Sequence, residues 1–372
     1  MEGWMNYLSA TFHTDLQRMK FTYGAQVEYN SVWDSSQYDD LQVSLGTSRF
    51  KGSERLMSAF IQTRYRFFEG FGLQMGLRGE YTDYRYQMNA QRWVNTSFMD
   101  FFPSVMFNFD SSFYNGLLGM TSQIYRADFR EMLPGLTKVN DYVYTKGNPN
   151  LKPTDAYMFF LYNTWFGFFQ TNFTYLYGKD AMADVYQVNE NAMIISKCNA
   201  ADYHLLKMNV VLPFSFWGEL VTGQIQFNTS YKKMINLRNG FQLPEGREKY
   251  YWKTSLDANV NYNPSDRWTV MVSARHIPEF QGSLYTANRL FMLNANMSYS
   301  LLKEKRLIVS AYINGLFGVD SNINNYFLDN RYFTREINRG PQLGITLKWK
   351  FNKGQDVGEE YRDYTPNMSR FQ

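Results

Sequence analysis

The stretch 341–351 alternates between apolar and polar residues at every position. Its apolar positions share one face of an extended chain, namely Leu343, Ile345, Leu347, Trp349 and Phe351. Glycine, threonine, glutamine and lysines occupy the other face. A period of two over this length predicts a β-strand with one apolar side and one wet side. The same pattern recurs about every 20 to 25 residues, with aromatics near the ends of the runs, which is typical of a transmembrane β-barrel.

Alternating segments of this kind predict about fifteen strands, of which 6–13, 21–29, 57–67 and 71–84 are clear examples. The connections between them are alternately short and long. The short turns lie near Asp15, Gly70, Asp110, Gly167, Pro264 and Glu304. The long connections are expected to be loops at 34–54, 126–152, 232–249 and 318–339. Outer-membrane barrels have short periplasmic turns and longer extracellular loops, so the alternation predicts which end of each strand faces the cell surface.

An odd number of strands bears on how the barrel closes. Single-chain bacterial barrels have even strand counts, and an open sheet edge within lipid leaves costly unpaired backbone groups. We therefore expect residues 1–352 to form part of a larger antiparallel barrel, and 353–372 to be a polar tail.

Composition agrees with this fold class. Aromatic residues make up 18% of the chain, with 29 Tyr, 31 Phe and 8 Trp, which fits lipid-facing positions and interfacial girdles. The mean hydropathy of −0.45 is compatible with a barrel, because the inner face and the loops dilute the apolar face. No apolar run is long enough for a membrane-spanning helix, and the N-terminus has no signal-peptide pattern.

The chemistry-bearing residues do not suggest an enzyme or a metalloprotein. Cys198 is the only cysteine, and the three histidines are far apart in sequence. His204 and Ser196 are near each other in sequence, but nothing else indicates a nucleophile with its base. A net charge of +4 does not favour nucleic acid as a partner. We expect no catalytic activity, no metal and no cofactor.

Two segments carry a resemblance to a known family. MGLRGEYTDY (75–84) and KGNPNLKPTDA (146–156) resemble recurrent segments in the barrel domain of TonB-dependent outer-membrane receptors of Bacteroidetes type. The resemblance covers nearly the whole chain. It implies a C-terminal portion of a barrel of ~22 strands. It also implies import of a scarce nutrient such as a siderophore, cobalamin or a glycan. The sequence departs from the family in lacking the plug, the TonB box and about seven strands of that barrel.

The resemblance further implies partners, namely the plug domain, TonB, outer-membrane lipid and lipopolysaccharide, and a surface lipoprotein. Within the second segment, the positions that match the family are Gly147, Asn148, Pro149, Leu151 and Pro153. Prolines cannot donate ladder hydrogen bonds, while glycine and asparagine favour a turn. We expect these residues to shape the start of the following strand; direct ligand contact is the alternative.

Four charged residues fall on the inner faces of neighbouring predicted strands: Glu28, Arg64, Arg78 and Glu80. We expect a cross-strand charge network that lines the lumen or contacts the plug, with direct substrate binding as the alternative.

The long connections are the expected ligand surface, because loops on rigid scaffolds carry binding sites. Their tyrosines could stack on a glycan or an aromatic chelator: Tyr38, Tyr142, Tyr144, Tyr326 and Tyr332. Packing within the loops or the girdle is the other interpretation. Basic residues of the third connection could hold lipopolysaccharide phosphates or an anionic ligand, or be solvated: Lys232, Lys233, Arg238, Arg247 and Lys249. A passive porin-like or structural outer-membrane barrel and a soluble β-sandwich are the alternatives to the receptor.

Overall fold

The computed structural model describes residues 2–36, 48–88, 94–133, 135–189, 192–238, 241–302, 305–326 and 332–350. Within these residues it is almost entirely β-structure, with 21 strands and one helix of a single turn. The main sheet holds 17 strands, and a second sheet holds four. The predicted tail at 353–372 lies outside the described residues.

Fifteen strands of the main sheet form one continuous antiparallel ladder, which confirms the predicted fold class and strand number. Numbering all 21 strands in chain order, the fifteen are β1 Glu2–Leu16, β2 Met19–Ser36, β3 Ser48–Phe68, β4 Phe71–Met88, β5 Val94–Asp110, β6 Tyr114–Tyr125, β9 Thr154–Trp165, β10 Phe169–Asn189, β11 Ala192–Phe216, β12 Val221–Ile235, β13 Tyr250–Ser265, β14 Trp268–Ile277, β17 Leu290–Leu301, β18 Leu307–Asn314 and β21 Gln342–Trp349.

The other elements lie in the connections at one end of the ladder. Between β6 and β9 lie α1 Phe129–Met132, β7 Leu136–Asn140 and β8 Val143–Lys146. Strand β8 joins the main sheet by pairing in parallel with the start of β11. The second sheet consists of β15 Phe280–Gln281, β16 Tyr285–Ala287, β19 Val319–Tyr326 and β20 Tyr332–Arg339. We call this end of the ladder the long-loop end and the opposite end the short-turn end.

The predicted long loops are wrong in extent, because the strands continue well into them. Strand β2 runs to Ser36 and β3 begins at Ser48, so 34–36 and 48–54 are strand. Lys232 and Lys233 belong to β12, and 318–339 is largely the hairpin of β19 and β20. Away from lipid a strand needs no apolar face, since backbone pairing alone satisfies its polar groups. The alternating pattern therefore ends before the strand does.

The two faces of the ladder differ as the alternation predicts. The outer face exposes large apolar side chains, among them Leu8 at 75% and Leu343 at 77% exposed. The inner face is polar in its middle part, where an amide ladder crosses three strands. Asn172 donates to Asn209 at 3.1 Å, and Asn209 donates to Asn228 at 2.8 Å. An apolar exterior around a polar interior is the inverse of a soluble sandwich, and excludes that alternative.

Strands β1 and β21 are the two edges of the ladder, and they pair with no other described strand on their outer sides. Because each pairing in the ladder is antiparallel, the first and fifteenth strands run in the same direction. They could not pair with each other in the antiparallel sense, and the barrel is not closed in this chain. No helix among the described residues is long and apolar enough to cross a membrane.

Candidate functional site

The connection between β6 and β9, residues 126–153, folds back over the inner face near the long-loop end. We call it the inner segment. Phe129 and Met132 of α1 are buried at 1% and 6% exposure. They pack with inward-facing apolar residues of β2, β3 and β4: Val32, Phe50, Tyr84 and Tyr86. Each such side chain contributes roughly 1.5–3 kcal/mol by leaving water. The packing therefore seats the inner segment firmly on the wall of the sheet.

A switch in the sequence pattern explains this packing. On β2 the inward positions are polar at Glu28 and Asn30 and become apolar at Val32. On β4 they change from Glu80 and Thr82 to Tyr84 and then Tyr86. The inner wall is thus polar in its middle part and apolar above it, which gives the inner segment a surface to cover. This change of the inner face was visible in the sequence, and the analysis of alternation alone missed it.

The motif at 147–153 fixes the inner segment in place. The backbone N–H of Asn148 donates to the Glu131 carbonyl at 2.6 Å, and its side-chain amide donates to the Lys197 carbonyl at 2.9 Å. A Cβ on Gly147 would lie 2.0 Å from the Leu133 carbonyl oxygen, so only glycine fits there. Leu151 is 7% exposed and joins the same apolar cluster. These contacts place the motif against both α1 and β11.

The end of the motif is held by a second amide. Asn199 on β11 accepts a hydrogen bond from the Lys152 backbone N–H at 2.8 Å. It donates to the carbonyls of Lys152 and Asp180 at 2.8 and 2.7 Å. Asp180 has a left-handed backbone, with φ of 56°, at the bulge of β10. The bulge turns this carbonyl toward the motif and so joins β10, β11 and the inner segment.

Below the inner segment lies a cavity of about 490 Å³. Its volume falls in the range of small-molecule sites, which is about 300–1,000 Å³. Aromatic rings, two cations and several carboxylates line it, among them Tyr84, Phe98, Asp100, Arg126, Asn150, Lys152, Asp155 and Asp180. The Oδ2 oxygen of Asp100 is buried without a hydrogen-bond partner among the described residues. Apolar walls with a few convergent polar groups are typical of a site for an organic ligand.

Next to the cavity lies a buried cluster of charged residues. Glu80 is 3% exposed, and Arg126 of the inner segment forms an ion pair with it. Arg78 approaches the other Glu80 oxygen at 3.8 Å and stacks over the Phe102 ring at 4.6 Å. Arg126 therefore ties the start of the inner segment to the middle of the inner wall.

The predicted charge network is brought together only in part. Arg78 and Glu80 are in contact, while Glu28 joins Glu54 through Asn30, which donates to them at 2.6 and 3.1 Å. Arg64 lies nearer the short-turn end, where it donates to Gln74 at 2.9 Å. Two members were missed by the sequence analysis. Glu54 fell within a predicted loop, and no pattern marked Arg126.

The predicted aromatic ligand residues do not form one surface. Tyr38 lies outside the described residues. Tyr142 is 66% exposed, whereas Tyr144 is completely buried against Leu136 and Ile194 and has no face free for a ligand. Tyr326 is covered by the Arg247 guanidinium at 3.7 Å.

Tyr332 and the basic residues of the third connection do not form a common ligand surface either. Tyr332 is opposite Tyr326 in the β19–β20 register. Arg238 pairs with Asp180 and, at 2.7 Å, with Asp202, so it is not available for lipopolysaccharide. Lys233 and Lys249 are exposed.

The described residues contain no group of three His, Cys, Asp or Glu side chains that could hold a metal ion. His204 hydrogen-bonds with the Tyr175 hydroxyl at 2.7 Å and stacks against its ring. Ser196 lies opposite Val185 in the β10–β11 register, whereas His204 lies opposite Tyr177. The two residues are therefore separated along β11 and do not form a nucleophile–base pair.

Comparison with known proteins is consistent with this architecture. A family model described as the outer membrane protein beta-barrel family matches residues 5–351. Among the solved structures similar to the chain is "Copper transporter OprC", with a TM-score of 0.63, 13% identity, and 93% of this chain and 56% of that chain covered. No curated protein matches the sequence.

Two further solved structures are transport proteins for iron complexes. The ferric yersiniabactin uptake receptor FyuA from Yersinia pestis has a TM-score of 0.60 and 12% identity, with 94% of this chain and 54% of that chain covered. The ferric citrate transporter FecA, in its unliganded form, has a TM-score of 0.61 and 10% identity, with 94% and 55% covered. The chain thus spans about half the length of these structures. At such low identity the likeness is one of fold.

Proposed function

The chain belongs to the outer membrane protein beta-barrel family and lies in the outer membrane, and on that premise we propose that it is the barrel of a TonB-dependent nutrient receptor. The transported nutrient would be a small organic ligand or metal chelate taken up at the cell surface. The solved structures with a similar fold include a copper transporter and iron-complex receptors, which supports transport rather than enzymatic activity. The segment 146–156 supports a receptor of Bacteroidetes type.

The observation that carries the proposal is the cavity under the inner segment. It lies on the inner wall at the long-loop end, which is the extracellular end if the short turns are periplasmic. In a passive pore, a folded segment on the wall would narrow the lumen. A receptor gains a rigid, partly apolar site that meets a ligand before it crosses.

The partners follow from the same proposal. TonB-driven import requires a plug inside the barrel and a TonB protein in the periplasm; a surface lipoprotein could deliver the ligand. Outer-membrane lipid and lipopolysaccharide would contact the apolar outer face. The polar inner wall, where the amides of Asn209 and Asn228 face inward, would offer the plug hydrogen-bonding groups.

The experiment is an uptake assay in the native host with the gene intact or deleted. Labelled ferric siderophores, cobalamin, copper and oligosaccharides would each be offered at limiting concentration. We expect one class to be accumulated only when the gene and TonB are present, and a protonophore to abolish its uptake. If small sugars enter without TonB and the protonophore does not reduce their uptake, the protein is instead a passive, porin-like barrel.

A further inference from the structure

A second, smaller cavity of about 110 Å³ lies on the inner face beneath the second sheet. Its floor is formed by small or flexible residues of three barrel strands, namely Ala181, Met182, Ala183, Ala200, Ala201 and Met234. Ser283, Leu284 and Tyr285, from the β15–β16 connection and the start of β16, also line the cavity. Lys232, Tyr203 and Tyr251 complete the lining. The cavity is thus a pocket with apolar walls and a few polar groups.

Lys232 supplies the positive charge of this pocket. Alternation along β12 places it on the inner face, between the outward-facing Tyr231 and Lys233. Its ammonium group lies 4.6 Å from the centre of the Tyr203 ring. Among the described residues no carboxylate forms an ion pair with it. The neighbouring basic residue Arg238, in contrast, is paired with two aspartates. Lys232 therefore has a free capacity to bind an anion.

Ser283 supplies an unused hydrogen-bond donor. The residue is only 3% exposed, and its Oγ hydroxyl has no hydrogen-bond partner among the described residues. Buried hydroxyls are nearly always paired, because leaving one unpaired costs free energy. An ammonium and an unpaired hydroxyl that line one small pocket together provide donors for the two oxygens of a carboxylate.

The walls restrict which anion fits. Phosphate and sulfate carry four oxygens that need donors, and most of the lining consists of alanine, methionine and leucine side chains, which offer none. An apolar cavity of about 150 Å³ holds a benzene-sized molecule, so one of about 110 Å³ has room for a stem of three or four carbons. The geometry thus favours a short aliphatic carboxylate over an inorganic anion.

We propose that this cavity is a binding site for a short-chain carboxylate, either free or as the acidic arm of a larger ligand. The carboxylate oxygens bind Lys232 and Ser283, and the aliphatic stem lies against the alanines of β10 and β11. The site is separate from the larger cavity under the inner segment. It does not depend on TonB-driven import, since it concerns binding alone.

The test is calorimetric titration of the full-length protein in detergent with butyrate, and with neutral butyramide as the isosteric control. We expect saturable binding of butyrate and binding of butyramide weaker by roughly ten- to hundredfold, as for loss of a hydrogen-bonded charge. Lys232→Gln should weaken butyrate binding to the level of butyramide. Lys233→Gln is the matched control, because it removes an adjacent lysine from the outer face and should leave binding unchanged.

Two further variants keep the proposal falsifiable if Lys232→Gln does not fold. Ser283→Ala should weaken butyrate binding by roughly tenfold, and Ala183→Leu should fill the pocket and abolish binding while Lys232 stays in place. The proposal is overturned if butyrate does not bind, if butyramide binds equally well, or if all three pocket variants bind butyrate like the wild-type protein. The titration needs no energised membrane, so its result is independent of the uptake assay.

Discussion

The side-chain amide of Asn148 donates a 2.9 Å hydrogen bond to the backbone carbonyl of Lys197, 49 residues further along the chain. The bond joins the inner segment to the part of β11 at the long-loop end. A second contact runs beside it, since the Lys197 ammonium pairs with Glu131 of α1. The short motif at 147–153 is therefore a structural clamp that holds a ligand-sized cavity in shape.

Replacing Asn148 should loosen the inner segment without unfolding the barrel. In Asn148→Ala the Lys197 carbonyl and the Asn150 N–H both lose a partner, at a cost of about 1–3 kcal/mol. We expect proteolytic cleavage within 126–153 to accelerate by roughly tenfold or more, measured by mass spectrometry of a timed digest. The control is Asn140→Ala, because Asn140 accepts an equivalent bond from the Tyr142 N–H in an exposed turn. Equal cleavage of the two variants would contradict a clamping role.

Arg126, which the sequence did not mark, should matter more for stability than Arg64, which the sequence placed in the inner-wall charge network. Arg126→Met leaves Glu80 buried without this cation, which we expect to cost about 3–5 kcal/mol in the free energy of unfolding. Arg64 is exposed and bonded to a neutral amide, so Arg64→Met should cost less than about 1 kcal/mol. Urea titration of protein folded in lipid vesicles measures both.

A double variant separates the contribution of the Arg126–Glu80 ion pair to stability from that of side-chain packing. Adding Glu80→Gln to Arg126→Met removes the isolated charge, so part of the lost stability should return. If the double variant is as unstable as the sum of the two single variants, Arg126 and Glu80 do not interact energetically.

The barrel could be predicted from the sequence because lipid imposes one rule on every strand. Every second residue of a strand faces lipid and must be apolar. Positions such as Ile225 and Phe227 therefore recur with a period of two. Beyond the lipid this requirement ends, and strands such as β2 and β19 continue with polar residues on both faces. Their pairing there depends on backbone hydrogen bonds, which leave no residue pattern, and so the end of β2 and all of β19 were predicted to be loops.

The candidate site was harder to predict, because it depends on long-range packing. Glu80 and Arg126 are 46 residues apart, and their contact follows from how the inner segment folds back. The motif at 147–153 stood out in the sequence, but only its turn-forming chemistry could be read from it. The exposed Tyr142 and the buried Tyr144 lie two residues apart in one connection, and nothing in their local sequence distinguishes them.

An added charge should destabilise the protein on the outer face of β12 but not on its inner face. Ile225 is on the outer face, so Ile225→Arg places a guanidinium in lipid at a cost of about 2–4 kcal/mol if the site is near the midplane. Gln226 faces inward, where its amide donates to Asn228 at 3.2 Å, and Gln226→Arg should be nearly neutral. Folding into vesicles, followed by the urea midpoint, gives both values. A larger loss for the inward variant would reverse the assignment of the faces.

Blocking the larger cavity should impair uptake if that cavity receives the ligand. Thr96 lies on the inner face of β5, opposite Tyr84, and lines the cavity. Thr96→Trp would place a large ring in a space of about 490 Å³, and we expect the initial uptake rate of the transported ligand to fall by roughly tenfold or more. Asn95→Trp is the matched control, since Asn95 pairs with Arg85 on the opposite face of the same strand.

Both proteins must reach the outer membrane in equal amounts, which immunoblotting of the membrane fraction checks. Wild-type uptake by Thr96→Trp would show that the ligand binds elsewhere, and equal loss in both variants would point to damaged folding of β5.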